Sequence, residues 1–123
     1  MSKTVSILAI DNEQSVTLSL RFVFAGPGYE MTTVSDGHTA LAKLEARAEP
    51  FDVIIVDQKM PDLTGLGVVT AIRERGIGGK IIVVSADVSP DVRESFEQMK
   101  VDAIFSKPFD VAKLRAEVDR LAA

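Results

Sequence analysis

The sequence contains no cysteine, which excludes disulfide bonds and thiolate metal sites and agrees with a reducing compartment. It also lacks an excess of basic residues. The formal net charge of -4 argues against a general nucleic-acid-binding face. No apolar run spans a membrane, since the stretch at residues 5–10 is far shorter than the ~20 residues that a transmembrane helix needs. We therefore expect a cytoplasmic protein without direct contacts to nucleic acid or membrane.

Linkers and low-complexity tracts are absent as well. The chain has 123 residues, of which 46% are hydrophobic and 26% charged, as in ordinary globular domains. A chain of this size buries roughly two thirds of its unfolded surface around a single core. We therefore predict one domain over residues 1–123.

The most informative stretch is the buried-strand pattern that ends at Asp57. Residues 53–56 are four β-branched apolar residues in a row, which is typical of a strand covered on both faces in a parallel sheet. A polar turn with Pro61 and Gly65 follows, so Asp57 would lie at the carboxyl end of the strand. Ligands bind at this edge in open α/β sheets. Asp57 could equally start the turn, and this stretch alone leaves both interpretations open.

Five strand-like and five helix-like patterns alternate along the chain, and the stretch before Asp57 is the third of the strand-like ones. Apolar stretches predict strands at residues 5–10, 29–34, 51–56, 80–84 and 102–105. Apolar residues recur at helical spacing over residues 16–24, 40–48, 66–73, 92–99 and 111–121. Ser89 and Asp110 are the predicted N-caps of the last two helices. This alternation predicts an α/β fold, a doubly wound three-layer sandwich around a parallel sheet with strand order 2-1-3-4-5.

Polar residues occupy the predicted carboxyl ends of strands one, three, four and five. They are Asp11 and Asn12, Asp57, Ser85 and Lys107. Adjacent carboxylates repel each other unless a hard cation such as Mg²⁺ neutralises them with oxygen ligands. A metal-bound carboxylate can accept a phosphoryl group, and a hydroxyl and an ammonium can hydrogen-bond the product. Such contacts could select one of two loop arrangements and so convert a local charge into a signal.

From residue 5 to about residue 121, the sequence resembles the receiver domain of two-component response regulators. The residues that carry this resemblance are the acidic group after the first strand, Asp57 with Met60-Pro61 and Gly65, Ser85-Ala86, and Lys107-Pro108. The resemblance implies a flavodoxin-like (βα)5 fold and Mg²⁺-dependent transfer of a phosphoryl group from a histidine kinase or phosphotransfer protein to Asp57. A downstream protein or output domain would receive the signal. The resemblance is also compatible with a homodimer. Enzymatic activity would amount at most to self-catalysed phosphotransfer and slow autodephosphorylation.

The resemblance also implies a set of Mg²⁺ ligands, and the sequence departs from the family there. The implied ligands are Asp11, Asn12, Asp57 and the backbone carbonyl of Lys59. Receivers normally carry two successive acids after the first strand, whereas the second position here is the neutral Asn12, so we expect weaker Mg²⁺ binding. Glu13 follows directly and is either a partner of the helix dipole or a replacement ligand.

The remaining implied roles concern the phosphoryl group and the switch. Ser85 and Lys107 would bind the phosphoryl group, and the peptide between Lys107 and Pro108 would be cis. The resemblance places Phe105 at the aromatic switch position, which turns inward when Ser85 is drawn to the phosphate. Phe105 could also be an ordinary core residue.

Two further expectations concern tuning and an alternative function. Lys59 and Asp87 lie on neighbouring loops, where an ion pair between them would shield the phosphoryl group from water. The alternative function is that of a pseudo-receiver, a constitutive protein-interaction domain whose acidic pocket is inactive because Asn12 replaces an acidic ligand. Retention of Asp57, Ser85 and Lys107 favours the working receiver.

Overall fold

A computed structural model describes residues 4–86 and 88–123 of the protein. Over these residues the chain alternates between five strands and five helices. The strands are β1 (Val5–Ile10), β2 (Tyr29–Val34), β3 (Val53–Asp57), β4 (Lys80–Ser85) and β5 (Ala103–Ser106). The helices are α1 (Gln14–Val23), α2 (Gly37–Ala46), α3 (Gly65–Glu74), α4 (Pro90–Gln98) and α5 (Val111–Ala122).

The five strands form one parallel sheet in the order β2-β1-β3-β4-β5. The order reverses beside β1, so β1 and β3 are neighbours in the middle of the sheet, with Ile7 opposite Val53. In sheets of this kind the crevice at the carboxyl ends of the strands is the usual ligand site. The predicted fold class and strand order are confirmed.

The sheet is covered on both faces, as the apolar run in β3 predicts. Ile54 and Val56 pack with α2, α3 and α4 on one face, while Val53 and Ile55 pack with α1 and α5 on the other. All five residues of β3 are buried. Burial of each such aliphatic side chain stabilises the fold by roughly 1.5–3 kcal/mol.

Side-chain caps define where several helices begin. Ser89 Oγ accepts a hydrogen bond from the Val92 N–H at the start of α4, and the Asp110 carboxylate accepts from the first N–H groups of α5. Both N-cap predictions are confirmed. Within the described ranges, no helix is long and apolar enough to span a membrane.

The end of α2 differs from the helical pattern in the sequence. The apolar spacing continues to Ala48, but the helix ends at Ala46 and Arg47 is extended. The Arg47 guanidinium stacks 4.0 Å from the centre of the Phe51 ring, and its Nε donates to the Glu49 carbonyl at 3.1 Å. These contacts hold the chain in a turn two residues before the predicted end.

Candidate functional site

Asp57 is the last residue of β3, and its carboxylate is buried, with only 2% of the residue exposed. The chain must then turn sharply into α3. A Cβ atom on Gly65 would lie 2.4 Å from the Asp57 carbonyl oxygen, and the Gly65 N–H donates to the Gln58 carbonyl at 3.0 Å. Glycine is therefore required at position 65, because any side chain there would push the loop away from Asp57.

The Lys107 ammonium lies among three carboxylates from separate parts of the chain. Its Nζ is 2.8 Å from Asp11 Oδ2, 2.9 Å from Glu13 Oε1 and 3.5 Å from Asp57 Oδ2. The side chains of Lys107, Asp11 and Asp57 are at most 10% exposed, so water screens their ion pairs poorly, whereas the Glu13 side chain is 55% exposed. The peptide between Lys107 and Pro108 is cis, as expected from the family resemblance.

The buried charges shift the pKa of two groups. Burial, followed by repulsion from Asp11, raises the pKa of the Asp57 carboxyl, although Lys107 partly opposes this. Burial alone would lower the pKa of Lys107, but hydrogen bonds to Asp11 and Glu13 outweigh it and the pKa is raised. The site therefore holds a firmly protonated lysine beside a carboxylate whose charge is costly.

Ser85 is at the same edge of the sheet, at the end of β4. Its carbonyl accepts a hydrogen bond from the Lys107 N–H at 2.9 Å. The residue is 1% exposed, and among the described residues its Oγ has no hydrogen-bond partner. A buried hydroxyl without a partner costs about 1–3 kcal/mol. A hydroxyl in this state is suited to bind an incoming anionic oxygen.

The carboxylates in this crevice fit a hard divalent cation. One oxygen atom each from Asp11, Glu13 and Asp57 lies within 4.8 Å of the others. Carboxylate oxygens are the ligands that Mg²⁺ prefers. Asn12 and Lys59, the other two implied ligands, are exposed and line one adjoining surface crevice.

The loop after Asp57 is held by two residues that the sequence analysis missed. Gln58 Oε1 accepts from the Leu66 N–H at 2.8 Å. The Asp62 carboxylate accepts from the N–H groups of Gly37 and His38 at 3.2 and 3.1 Å, and it lies 2.7 Å from His38 Nδ1. These backbone hydrogen bonds, above all the one from His38, hold the pKa of Asp62 well below its usual range. The only sign of this role in the sequence was an aspartate, Asp62, in the polar turn that follows Asp57.

The structure does not bring Phe105 together with Ser85. Phe105 packs against the core on the α1 and α5 face of the sheet, as does its neighbour Val84. Because side chains alternate along a strand, Ser85 follows on the opposite face, where Val83 and Ile104 pack. An inward turn of Phe105 toward Ser85 would have to cross the sheet.

The predicted tuning pair remains a prediction. Asp87 lies outside the described residues, so the ion pair with Lys59 has no structural counterpart to compare. Lys59 itself is exposed on the loop that follows β3.

A comparison with protein-family models matches residues 7–119 to the response regulator receiver domain. Curated proteins agree with this match. The transcriptional regulatory protein PrrA of Mycobacterium tuberculosis is 35% identical over 115 residues, which are 94% of this chain and 48% of PrrA. The alkaline phosphatase synthesis transcriptional regulatory protein PhoP of Bacillus subtilis is 30% identical over 112 residues, which are 91% of this chain and 46% of PhoP. The chain thus spans about half the length of these relatives.

Solved structures agree with the sequence comparisons. The chemotaxis protein CheY4 of Vibrio cholerae superposes with a TM-score of 0.85 at 29% identity, covering 96% of this chain and 98% of that one. The receiver domain of the Francisella response regulator 1452 gives a TM-score of 0.88 at 25% identity, with 97% of both chains covered. The chain belongs to the response regulator receiver domain family.

Proposed function

We propose that this protein is a phosphorylation-switched receiver that takes a phosphoryl group onto Asp57 from a histidine kinase or phosphotransfer protein. One observation carries the proposal: the buried Asp57 carboxylate lies 3.5 Å from the ammonium of Lys107, at the crevice edge of the sheet. A carboxylate nucleophile beside a fixed cation is suited to an anionic donor, because the cation offsets the repulsion between the two anions.

The transfer would exchange one bond to phosphorus for another. A carboxylate oxygen of Asp57 forms a bond to the phosphorus, while the bond from phosphorus to the donor's imidazole nitrogen breaks and the imidazole keeps the electron pair. Lys107 would then donate a charge-assisted hydrogen bond to the phosphoryl oxygens. Ser85, whose hydroxyl has no partner among the described residues, would donate a second one.

The same crevice would hold Mg²⁺. Its ligands would come from Asp11 and Asp57, from the Lys59 carbonyl, and from Asn12 or Glu13. Bound there, Mg²⁺ would neutralise the clustered carboxylates and the charge of the incoming phosphoryl group.

Ser85 is suited to pass the signal on because it ends β4, immediately before the segment that leads to α4. Movement of its hydroxyl toward a phosphoryl group would shift that segment and change the surface available to a partner. PrrA and PhoP are named transcriptional regulatory proteins and are about twice as long as this chain. We therefore propose a separate downstream protein or an output domain as the recipient, in the cytoplasm.

A pseudo-receiver is the second candidate function, and Asn12 is the observation that favours it. The side chain at this position is exposed and uncharged, so it adds no carboxylate to the crevice. In this case the domain would bind its partner constitutively and Asp57 would stay unmodified.

The test is the intact mass of the protein after incubation with acetyl phosphate, with and without Mg²⁺. We expect a single phosphoryl adduct that requires Mg²⁺ and is lost in Asp57→Ala. The matched control is Asp91→Ala, which truncates an exposed aspartate in the first turn of α4 and should leave the adduct unchanged. Absence of an adduct on the wild type would reject the working receiver and favour the pseudo-receiver.

A further inference from the structure

We propose that Glu13 supplies the third carboxylate of the cation site and thereby replaces the acid that is missing at position 12. This inference rests on the proposed function, since it assigns a role at the same site. Asp11 and Asp57 alone would give the crevice two carboxylates, and the Asn12 amide adds no charge.

The conformation of Glu13 supports a role in the site rather than in its helix. Glu13 is the N-cap residue of α1, yet its side chain makes no capping hydrogen bond there. Its backbone N–H donates to Asp11 Oδ1 at 2.9 Å, and its Oε1 lies 2.9 Å from Lys107 Nζ. A glutamate that served only the helix would direct its carboxylate at the free N–H groups of the first turn.

The spacing of the three carboxylates suits an octahedral ion after a small contraction. Oxygen ligands of Mg²⁺ lie roughly 3 Å apart when adjacent and about 4 Å apart when opposite, given metal–oxygen distances of about 2.1 Å. The oxygens of Asp11, Glu13 and Asp57 are already within 4.8 Å of one another. Glu13 is half exposed and flexible enough to close the remaining distance, either directly or through a bridging water.

A second polar group at this edge of the sheet has no partner within the described ranges, and it suits the anion that would accompany the cation. Ser85 Oγ is fully buried and has no partner among the described residues, while the Ser85 carbonyl is bonded to the Lys107 N–H. The site therefore combines an acidic cluster with a buried donor that is not satisfied by the protein.

The charges of the site also favour a role for Glu13. Three carboxylates and the Lys107 ammonium leave two negative charges in the crevice, which a divalent cation balances. Without Glu13 only one negative charge would remain, and binding a divalent cation would leave the crevice with a net positive charge. The pairing with Lys107 also keeps the Glu13 carboxylate at the site before a cation arrives.

The test is calorimetric titration of the full chain with Mg²⁺ in the absence of any phosphodonor. Glu13→Gln should weaken Mg²⁺ binding by about 10- to 100-fold, the range seen when groups supporting a metal site are removed. Glu94→Gln removes the same charge from the exposed face of α4 and should bind Mg²⁺ like the wild type.

Two further variants separate a metal role from a helix role. Glu13→Ser introduces a better N-cap than glutamate but removes the carboxylate, so it should lose Mg²⁺ affinity while its thermal stability is retained. Asn12→Asp added to Glu13→Gln returns a carboxylate to the neighbouring position and should restore binding.

The outcomes distinguish this inference from the proposed function. If the wild type binds Mg²⁺ and forms the Asp57 adduct, but Glu13→Gln and Glu13→Ser bind Mg²⁺ as tightly, the role of Glu13 is wrong and the receiver function stands. If the wild type neither binds Mg²⁺ nor forms an adduct, both proposals are wrong. Loss of affinity in both variants, with rescue by Asn12→Asp, supports Glu13 as the replacement acid.

Discussion

Asp57 and Asp62 are two aspartates of one loop region, five positions apart, and their surroundings give them opposite properties. Asp57 is buried beside Asp11, and burial followed by that repulsion raises its pKa. Asp62 is exposed in the loop after β3. The N–H groups of His38 and Gly37, at the start of α2, hold the pKa of Asp62 well below the usual range. Ionisation is thus opposed at the first position and favoured at the second.

The difference separates the proposed phosphoacceptor, Asp57, from a carboxylate that holds a loop in place, Asp62. Asp62 has its hydrogen-bonding capacity used by backbone donors, and it fastens the loop to α2. Burial and the neighbouring Asp11 make the charge of Asp57 unfavourable even with Lys107 beside it, a property expected of the anionic nucleophile that we propose. A mutation that removes the favourable partners of one residue should therefore leave the other almost unaffected.

The largest expected effect comes from removing the Lys107 ammonium, which pairs with both Asp11 and Asp57. Lys107→Met keeps a long unbranched side chain but removes its ammonium, so the buried carboxylates of Asp11 and Asp57 lose their counter-charge. We expect a loss of roughly 3 kcal/mol in the free energy of unfolding at pH 7. Urea unfolding in the presence of a chelator measures this loss of stability. Circular dichroism monitors the unfolding, because the chain has no tryptophan. Lys113→Met on α5 is the control. If Lys107→Met loses no more stability than Lys113→Met does, the buried ion pairs contribute little to the free energy of unfolding.

Asp57→Asn should have a smaller effect of the opposite sign. The raised pKa means that the Asp57 charge destabilises the metal-free fold at neutral pH, so we expect the variant to be more stable than the wild type, by less than Lys107→Met loses. As the pH falls through the raised pKa toward the ordinary value of 3.8, the wild-type carboxyl becomes protonated and the advantage of the variant shrinks. Urea unfolding of both proteins between pH 7 and pH 4 checks this, and a destabilised variant would contradict it.

Asp62→Asn should give the smallest effect, in a different pH range. The lowered pKa means that the charged Asp62 stabilises the fold above the ordinary value of 3.8, and that this contribution is lost only as the pH falls below it. We therefore expect a modest loss of stability that is constant from pH 7 to about pH 4 and disappears in more acidic buffer. Thermal unfolding measures the difference, and a loss that fades above pH 4 would mean that Asp62 is not held by the helix start.

Much of the fold follows from patterns that are local in the sequence. The apolar run before Asp57 predicts a central strand, and Ser89 and Asp110 predict the starts of α4 and α5, because each pattern depends on its own segment. The position of Lys107 also follows, since the carboxyl ends of parallel strands meet at one edge.

The remaining details depend on distances between segments that no local pattern contains. The turn from β1 into α1 places the Glu13 carboxylate beside Lys107, and no pattern within either segment indicates that contact. The partners of Asp62 lie 24 and 25 residues earlier in the chain. The placement of Phe105 depends on the register of β5, where a shift of one residue exchanges the two faces of the sheet.

The most direct test of the central claim is to locate the phosphoryl group after incubation with acetyl phosphate and Mg²⁺. Borohydride reduces an aspartyl phosphate to homoserine, so peptide mass mapping identifies the modified residue. We predict homoserine at position 57 in the wild type and in Asp62→Asn, and none in Asp57→Asn. Homoserine at Asp62 or Asp11, or an adduct that persists in Asp57→Asn, would contradict the assignment of Asp57 as the phosphoacceptor.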